Sequence, residues 1–153
     1  MNVSIRRILF PTDFSKPAKE AQKYAVTLAE KFGAELHVIH VVPEIILPAT
    51  DSYTAWTLPE GGMKAQLEAS EKQLHAEFGD IPGSRRAVVV GFPVEETMKY
   101  AADNSIDLIV IGTHGHTGLS HLLLGSMAEK LVRLAKCPVL TVHPQGHQFV
   151  VSE

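Results

Sequence analysis

Short apolar runs alternate with amphipathic stretches along almost the whole chain, and this alternation restricts the fold more than any other feature. The runs are Ile8–Phe10, Leu36–Val42, Arg86–Val90, Leu108–Ile111 and Val139–Val142. Each has the length and the β-branched content of a strand. Helical patterns lie between them. Ala18, Ala21, Ala25, Leu28, Ala29 and Phe32 recur at helical spacing before Gly33, with Ser15 placed as N-cap and Pro17 in the first turn. Met63–Phe78 precedes Gly79 as a stop, with Met63, Leu67, Ser70 and Leu74 on one side. A third helix opens at Gly91-Phe92-Pro93 and runs through Ala102, and a fourth spans Ser126–Ala135. Strict alternation of this kind, with right-handed crossovers, predicts an α/β fold: a doubly wound parallel sheet with helices on both faces, Rossmann-like. In such folds a ligand lies beyond the carboxyl ends of the strands, where strand order reverses.

The most informative local stretch, GTHGHTGLSHLLLGSM from Gly112 to Met127, stands at one such strand end. Gly112, Gly115, Gly125 and Ser126 follow the spacing G-x2-G-x9-G-[ST]. Glycine lets backbone N–H groups approach a ligand closely and permits positive φ. A helix start adds unpaired N–H donors and the positive end of a dipole. Strand, glycine-rich loop and helix together outline a phosphate site. The spacing is neither the Walker A loop, since no lysine precedes Ser126, nor the compact dinucleotide turn. Pro11-Thr12-Asp13 closes the first strand. If strands one and four are neighbours, both segments converge on one crevice.

The order PTDFS, HVV, GTHG and GS along these strand ends resembles the universal stress protein family, over about Ile5 to Val142. The glycine signature marks its ATP-binding branch. The resemblance implies a five-stranded parallel sheet of order 3-2-1-4-5, a homodimer, and a cytoplasmic role in stress response. It also implies that the backbone near Val41 reads adenine, that Asp13 and Gly112 hold the ribose, and that Gly115, Gly125 and Ser126 hold the phosphates. Ile111 and Met127 would line the pocket, with Pro11 and Thr12 shaping its wall. The chemistry agrees: a carboxylate only accepts hydrogen bonds and suits ribose hydroxyls. His114 stands where an arginine or lysine is common in such loops, which weakens phosphate attraction at neutral pH. The ligand implied is ATP, or AMP or ADP, with Mg²⁺ or Mn²⁺ held mainly through the phosphates.

Plainer readings stand beside these. The glycine loop could be a simple connection, and Asp13 could cap a helix or satisfy a turn. His114, His116 and His121 lack a nearby carboxylate or cysteine, so solvated loop histidines are expected rather than a protein-held metal. His37 and His40, in an apolar strand, are expected to be packed and hydrogen-bonded. Cys137, the only cysteine, is expected to be structural, its pKa lowered somewhat by Lys136. Val139–Val142 reads as an edge strand, either covered or paired with a second copy across a two-fold axis. The long connection Pro43–Gly62, with Trp56, is read as irregular.

At 153 residues the chain reads as one domain over 1–146 with a tail over 147–153. Its net charge of −3 gives no electrostatic case for nucleic acid or an anionic membrane. No long apolar stretch follows the two N-terminal arginines, so no signal peptide is expected, and a reduced cytoplasmic setting fits one cysteine. The expected function is an adenine-nucleotide-binding regulatory protein, since no nucleophile–base pair accompanies the loop. The rivals are a slow ATPase, autophosphorylation on Ser126, Thr113, Thr117 or Ser120, and a nucleotide-free dimeric adapter.

Overall fold

The computed structural model describes residues 2–44, 61–113 and 124–143. Its elements run in the order β1 (Arg7–Pro11), α1 (Lys16–Phe32), β2 (Glu35–Pro43), α2 (Gly62–Phe78), β3 (Arg85–Gly91), α3 (Pro93–Asp103), β4 (Leu108–Gly112), α4 (Ser126–Leu134) and β5 (Val139–Val142). The strands form one five-stranded sheet of order β3-β2-β1-β4-β5, and each neighbouring pair runs parallel. The α/β, doubly wound reading is therefore correct, with strands and helices shifted by a residue or two at their ends.

Side-chain alternation sends each strand's apolar residues to both faces. On one face Ile8, Phe10, Val38, Leu108 and Val110 pack with α1 and α2, through Ala18, Ala21, Ala25, Ala29, Leu74 and Phe78. On the other, Leu9, Ile39, Ile109 and Ile111 pack with α3 and α4, through Val94, Ala128 and Leu131. This explains why the central strands read as unbroken apolar runs rather than alternating ones.

Local chemistry sets the helix ends. Ser15 caps α1, its hydroxyl accepting from Ala18 N–H at 3.3 Å, and Gly33 ends the helix in the left-handed region at φ 60°. Gly79 follows the end of α2, as expected, without taking a left-handed conformation. Its φ is −61°, and a Cβ there would lie 2.4 Å from the His75 carbonyl oxygen. Ser70, Leu74 and Phe78 form the buried side of α2, with Met63 and Leu67 only half-buried.

His37 is buried, as expected, but its surroundings are polar. Its Nδ1 lies 2.9 Å from the Tyr100 hydroxyl. Glu35 Oε1 stands 2.6 Å from Nε2 and also holds Arg85 Nε at 2.8 Å. Despite its closeness, the Glu35 contact leaves Nε2 without a well-formed hydrogen bond. Burial is the larger influence and pushes the imidazole pKa below its ordinary 6.5, against the opposing pull of Glu35. A depressed folded pKa means that the unfolded chain binds the proton more readily. His37 therefore contributes its full stability above pH 6.5 and loses it as pH falls below that value. Urea unfolding between about pH 7.5 and 5, the range over which histidine titrates, should show the wild-type midpoint falling more steeply with acid than that of His37→Gln. Parallel pH profiles for the two proteins would refute this.

Candidate functional site

The sheet parts at its topological switch point. The β1–β4 pairing consists of Ile8↔Leu108 and Leu9↔Ile109, yet β1 runs on to Pro11 and β4 to Gly112. Each strand meanwhile stays with its outer neighbour, through Pro11↔Ile39 and Gly112↔Val142. The cause lies in the residue types. Thr12 N–H donates to Ile39 O at 2.9 Å, so Thr12 faces β2 and, by alternation, Leu9 and Pro11 face β4. Proline has no N–H to give. The ladder toward β4 therefore loses its next donor at the first β4-facing residue after Leu9.

The segments predicted to form a site are gathered around this split. Pro11 and Thr12 are buried at its β1 side, and Asp13 is half-buried beyond them. Asp13 does not cap α1; its Oδ1 accepts from Ser15 N–H at 3.0 Å, fixing the turn. Thr12 Oγ1 accepts from Phe14 N–H at 3.0 Å, and Phe14 takes a φ of 62°. That left-handed conformation costs a non-glycine residue roughly 1–2 kcal/mol.

Val41 is not at the end of β2, which continues to Pro43. It pairs in register with Val89 of β3. Because Ile39 directs its carbonyl to β1, Val41 two residues on directs its own N–H and C=O to the same side, past the last β1 partner. An edge able to read a purine thus exists in mid-strand, because the neighbouring strand has stopped.

Gly112 and Gly125 do not use the positive φ that glycine permits. Gly125 has φ −56°. Gly112 is needed for close packing: a Cβ there would lie 3.0 Å from the Pro17 carbonyl oxygen and 3.2 Å from its carbonyl carbon. The start of α1, at Pro17, thus rests against the end of β4. Gly125 is the N-cap of α4 and offers no side chain to the first-turn amides, and exposed Ser126 begins the helix. Ile111 is buried, and half-buried Met127 packs beside it in the same core. His114, Gly115, His116, Thr117, Ser120, His121 and Trp56, with most of the 43–62 connection and the tail after 143, lie outside the described residues. Among the described residues no group of three or more metal-ligating side chains converges.

Thr113 differs from expectation. It is fully buried, and its hydroxyl lies 3.3 Å from both Val142 O and His143 Nδ1, which removes it from the hydroxyls that could receive a phosphate. Its carbonyl accepts from Gly125 N–H. Cys137 also departs from expectation: burial raises its thiol pKa, rather than Lys136 lowering it.

A model of the universal stress protein family matches residues 4–143. The chain belongs to this family. One relative, the universal stress protein MJ0531 of Methanocaldococcus jannaschii, is 38% identical over 142 residues, covering 90% of this chain and 81% of its own. Among solved structures, MJ0577 superposes with a TM-score of 0.73 at 27% identity, over 95% of this chain and 100% of that one. A universal stress protein crystallised in complex with cAMP gives a TM-score of 0.62 at 26% identity, covering 92% and 99% of the two chains. No helix among the described residues is long and apolar enough to cross a membrane.

Sequence reasoning missed His40 as part of this region. Its Nδ1 lies 2.8 Å from Thr12 O, and its ring lies 4.5 Å from that of Phe14. Nothing in the sequence marks the positive φ at Phe14. The Gly112 contact yields a clear expectation. Gly112→Ala should lower stability by about 1–3 kcal/mol, the usual cost of overpacking, because the opposing atoms are backbone and cannot rotate away. Unchanged denaturant midpoints would show that α1 can shift freely, contradicting the close-packed arrangement.

Proposed function

We propose that this universal stress protein binds an adenine nucleotide in the split between β1 and β4 and acts as a dimeric regulator in the cytoplasm. The observation that carries the reading is the split itself, and in this reading Asp13, the Val41 peptide groups and the start of α4 would surround the ligand. An acceptor-only carboxylate suits ribose hydroxyls. A backbone donor and acceptor side by side suit an adenine edge. First-turn amides without a side-chain cap suit phosphate oxygens. The cAMP complex of a structurally similar family member supports the same ligand class. ATP, ADP and AMP share these features. Mg²⁺ or Mn²⁺ would then be held mainly through phosphate oxygens.

A gently purified sample, denatured and resolved by chromatography and mass spectrometry, is expected to release an adenine nucleotide. Titration with ATP-Mg should show binding to wild type and a loss of at least tenfold in Gly125→Val, about 1.4 kcal/mol, because a branched side chain would crowd the start of α4. Absence of released nucleotide, together with no binding at millimolar ATP, would leave a nucleotide-free adapter as the better description.

The dimer is proposed to form through β5. This strand ends the sheet order and pairs with β4 on one side only. Pro138 O accepts from Ile109 N–H and Val142 O from Thr113 N–H, so Val139 and Thr141 direct their N–H groups outward. Val132, Leu134 and Leu140 are exposed apolar residues on α4, the fourth helix, and on β5. Thr141→Pro would remove an outward donor without touching the inner ladder. Sedimentation should find wild type dimeric and Thr141→Pro monomeric with its fold intact; a variant that remains dimeric places the interface elsewhere.

A further inference from the structure

We propose that His40 is a positioning residue for ribose recognition: through one hydrogen bond it sets the Thr12–Ser15 turn that carries Asp13. The inference rests on the nucleotide reading above and adds a residue to it. The Thr12 carbonyl can only accept, so the 2.8 Å contact fixes the proton on His40 Nδ1. The imidazole thus ties β2 to the last peptide before Asp13, beyond the point where the β1–β2 register ends at Pro11↔Ile39.

The turn it holds is strained and held at several points. Phe14 sits at φ 62°, and its N–H donates to Thr12 Oγ1 at 3.0 Å. Ser15 N–H donates to Asp13 Oδ1 at 3.0 Å, and Ser15 Oγ accepts from Ala18 N–H at 3.3 Å. The Phe14 ring leans on His40 with centroids 4.5 Å apart and planes at 36°. A strained residue persists only where its surroundings determine it, and such residues cluster at ligand-binding segments. Three of these ties are local to the turn. Thr12 N–H is also tied to β2, through Ile39 O at 2.9 Å, but the next peptide, the one that leads into Asp13, meets β2 through His40, so His40 sets how that peptide stands against the sheet. The carboxylate of Asp13 is thereby presented at a set place relative to the Val41 peptide, one residue along β2 from His40. An adenine read at Val41 and a ribose held at Asp13 would share this spacing.

The test separates the donor from the ring. Asparagine places an amide N–H near the position of Nδ1, and phenylalanine keeps a ring without a donor. His40→Phe should bind ATP about fivefold more weakly, the effect of about one hydrogen bond, whereas His40→Asn should stay within about twofold of wild type. With 2′,3′-dideoxyATP, which offers Asp13 no hydroxyl, wild type and His40→Phe should bind alike. Equal losses for both ligands, or a loss in His40→Asn as large as in His40→Phe, would make His40 a packing residue and overturn the proposal. A measurement on the wild type guards against misfolded variants: saturating ATP should slow amide exchange at Phe14 and Ser15, and the dideoxy analogue should not. Identical protection by both ligands overturns the proposal while leaving nucleotide binding in place. Failure of wild type to bind either ligand overturns the functional reading and this inference with it.

Discussion

A missing N–H at Pro11 organises the site end of this molecule. A parallel ladder needs a donor at every second residue on each side, and β1 has none to offer β4 after Leu9. The two central strands therefore part while each keeps its outer neighbour, through Ile39 on one side and Val142 on the other. A parting at the centre of a sheet is otherwise costly, because it strands peptide groups and apolar side chains. Here it coincides with the point where strand order reverses and the connecting helices leave for opposite faces. Nothing needs to cover the gap from within the sheet, and the cleft is built without disrupting the edges.

On one face of the parting sheet, α1 lies close to the strands. Its buried side consists of Ala18, Ala21, Ala25 and Ala29, and small side chains shorten the distance between helix and strands. The same closeness reaches its limit at Gly112, where even a methyl group would press on the Pro17 backbone. The glycine of the strand–loop junction is thus explained by packing whether or not a ligand is bound. Its effect is to let the start of α1 lie against the end of β4. Packing and recognition are not competing explanations of this residue, since the first creates the geometry the second would use.

The fold was legible in the sequence because its evidence is redundant. Five apolar runs and four helical patterns each point to the same alternation, and an error of a residue at one boundary changes nothing. Ser15 and Gly33 were readable because caps are local chemistry. The site was legible only in part. Asp13 and the glycine motif stand out by residue type, but Val41 would act through its peptide group, whose availability depends on where a different strand ends. Thr113 looked like an accessible hydroxyl and proved to be buried against β5, which no local pattern reveals. His40 was correctly read as packed and hydrogen-bonded. Its partner, twenty-eight residues earlier at Thr12, could not be seen until β1 and β2 were placed side by side.

Thr113 also ties the start of α4 to the sheet edge. Its N–H donates to Val142 O, and its carbonyl accepts from Gly125 N–H. The two ends of the 114–124 segment are therefore joined to each other and to the edge strand by a single residue. The position of α4, and of the amides at its start, is held by Thr113 and by the core contacts of Ala128 and Leu131. The sheet edge and the start of α4 share this anchor, so the proposed phosphate end of the cleft and the proposed dimer edge are parts of one rigid corner of the fold.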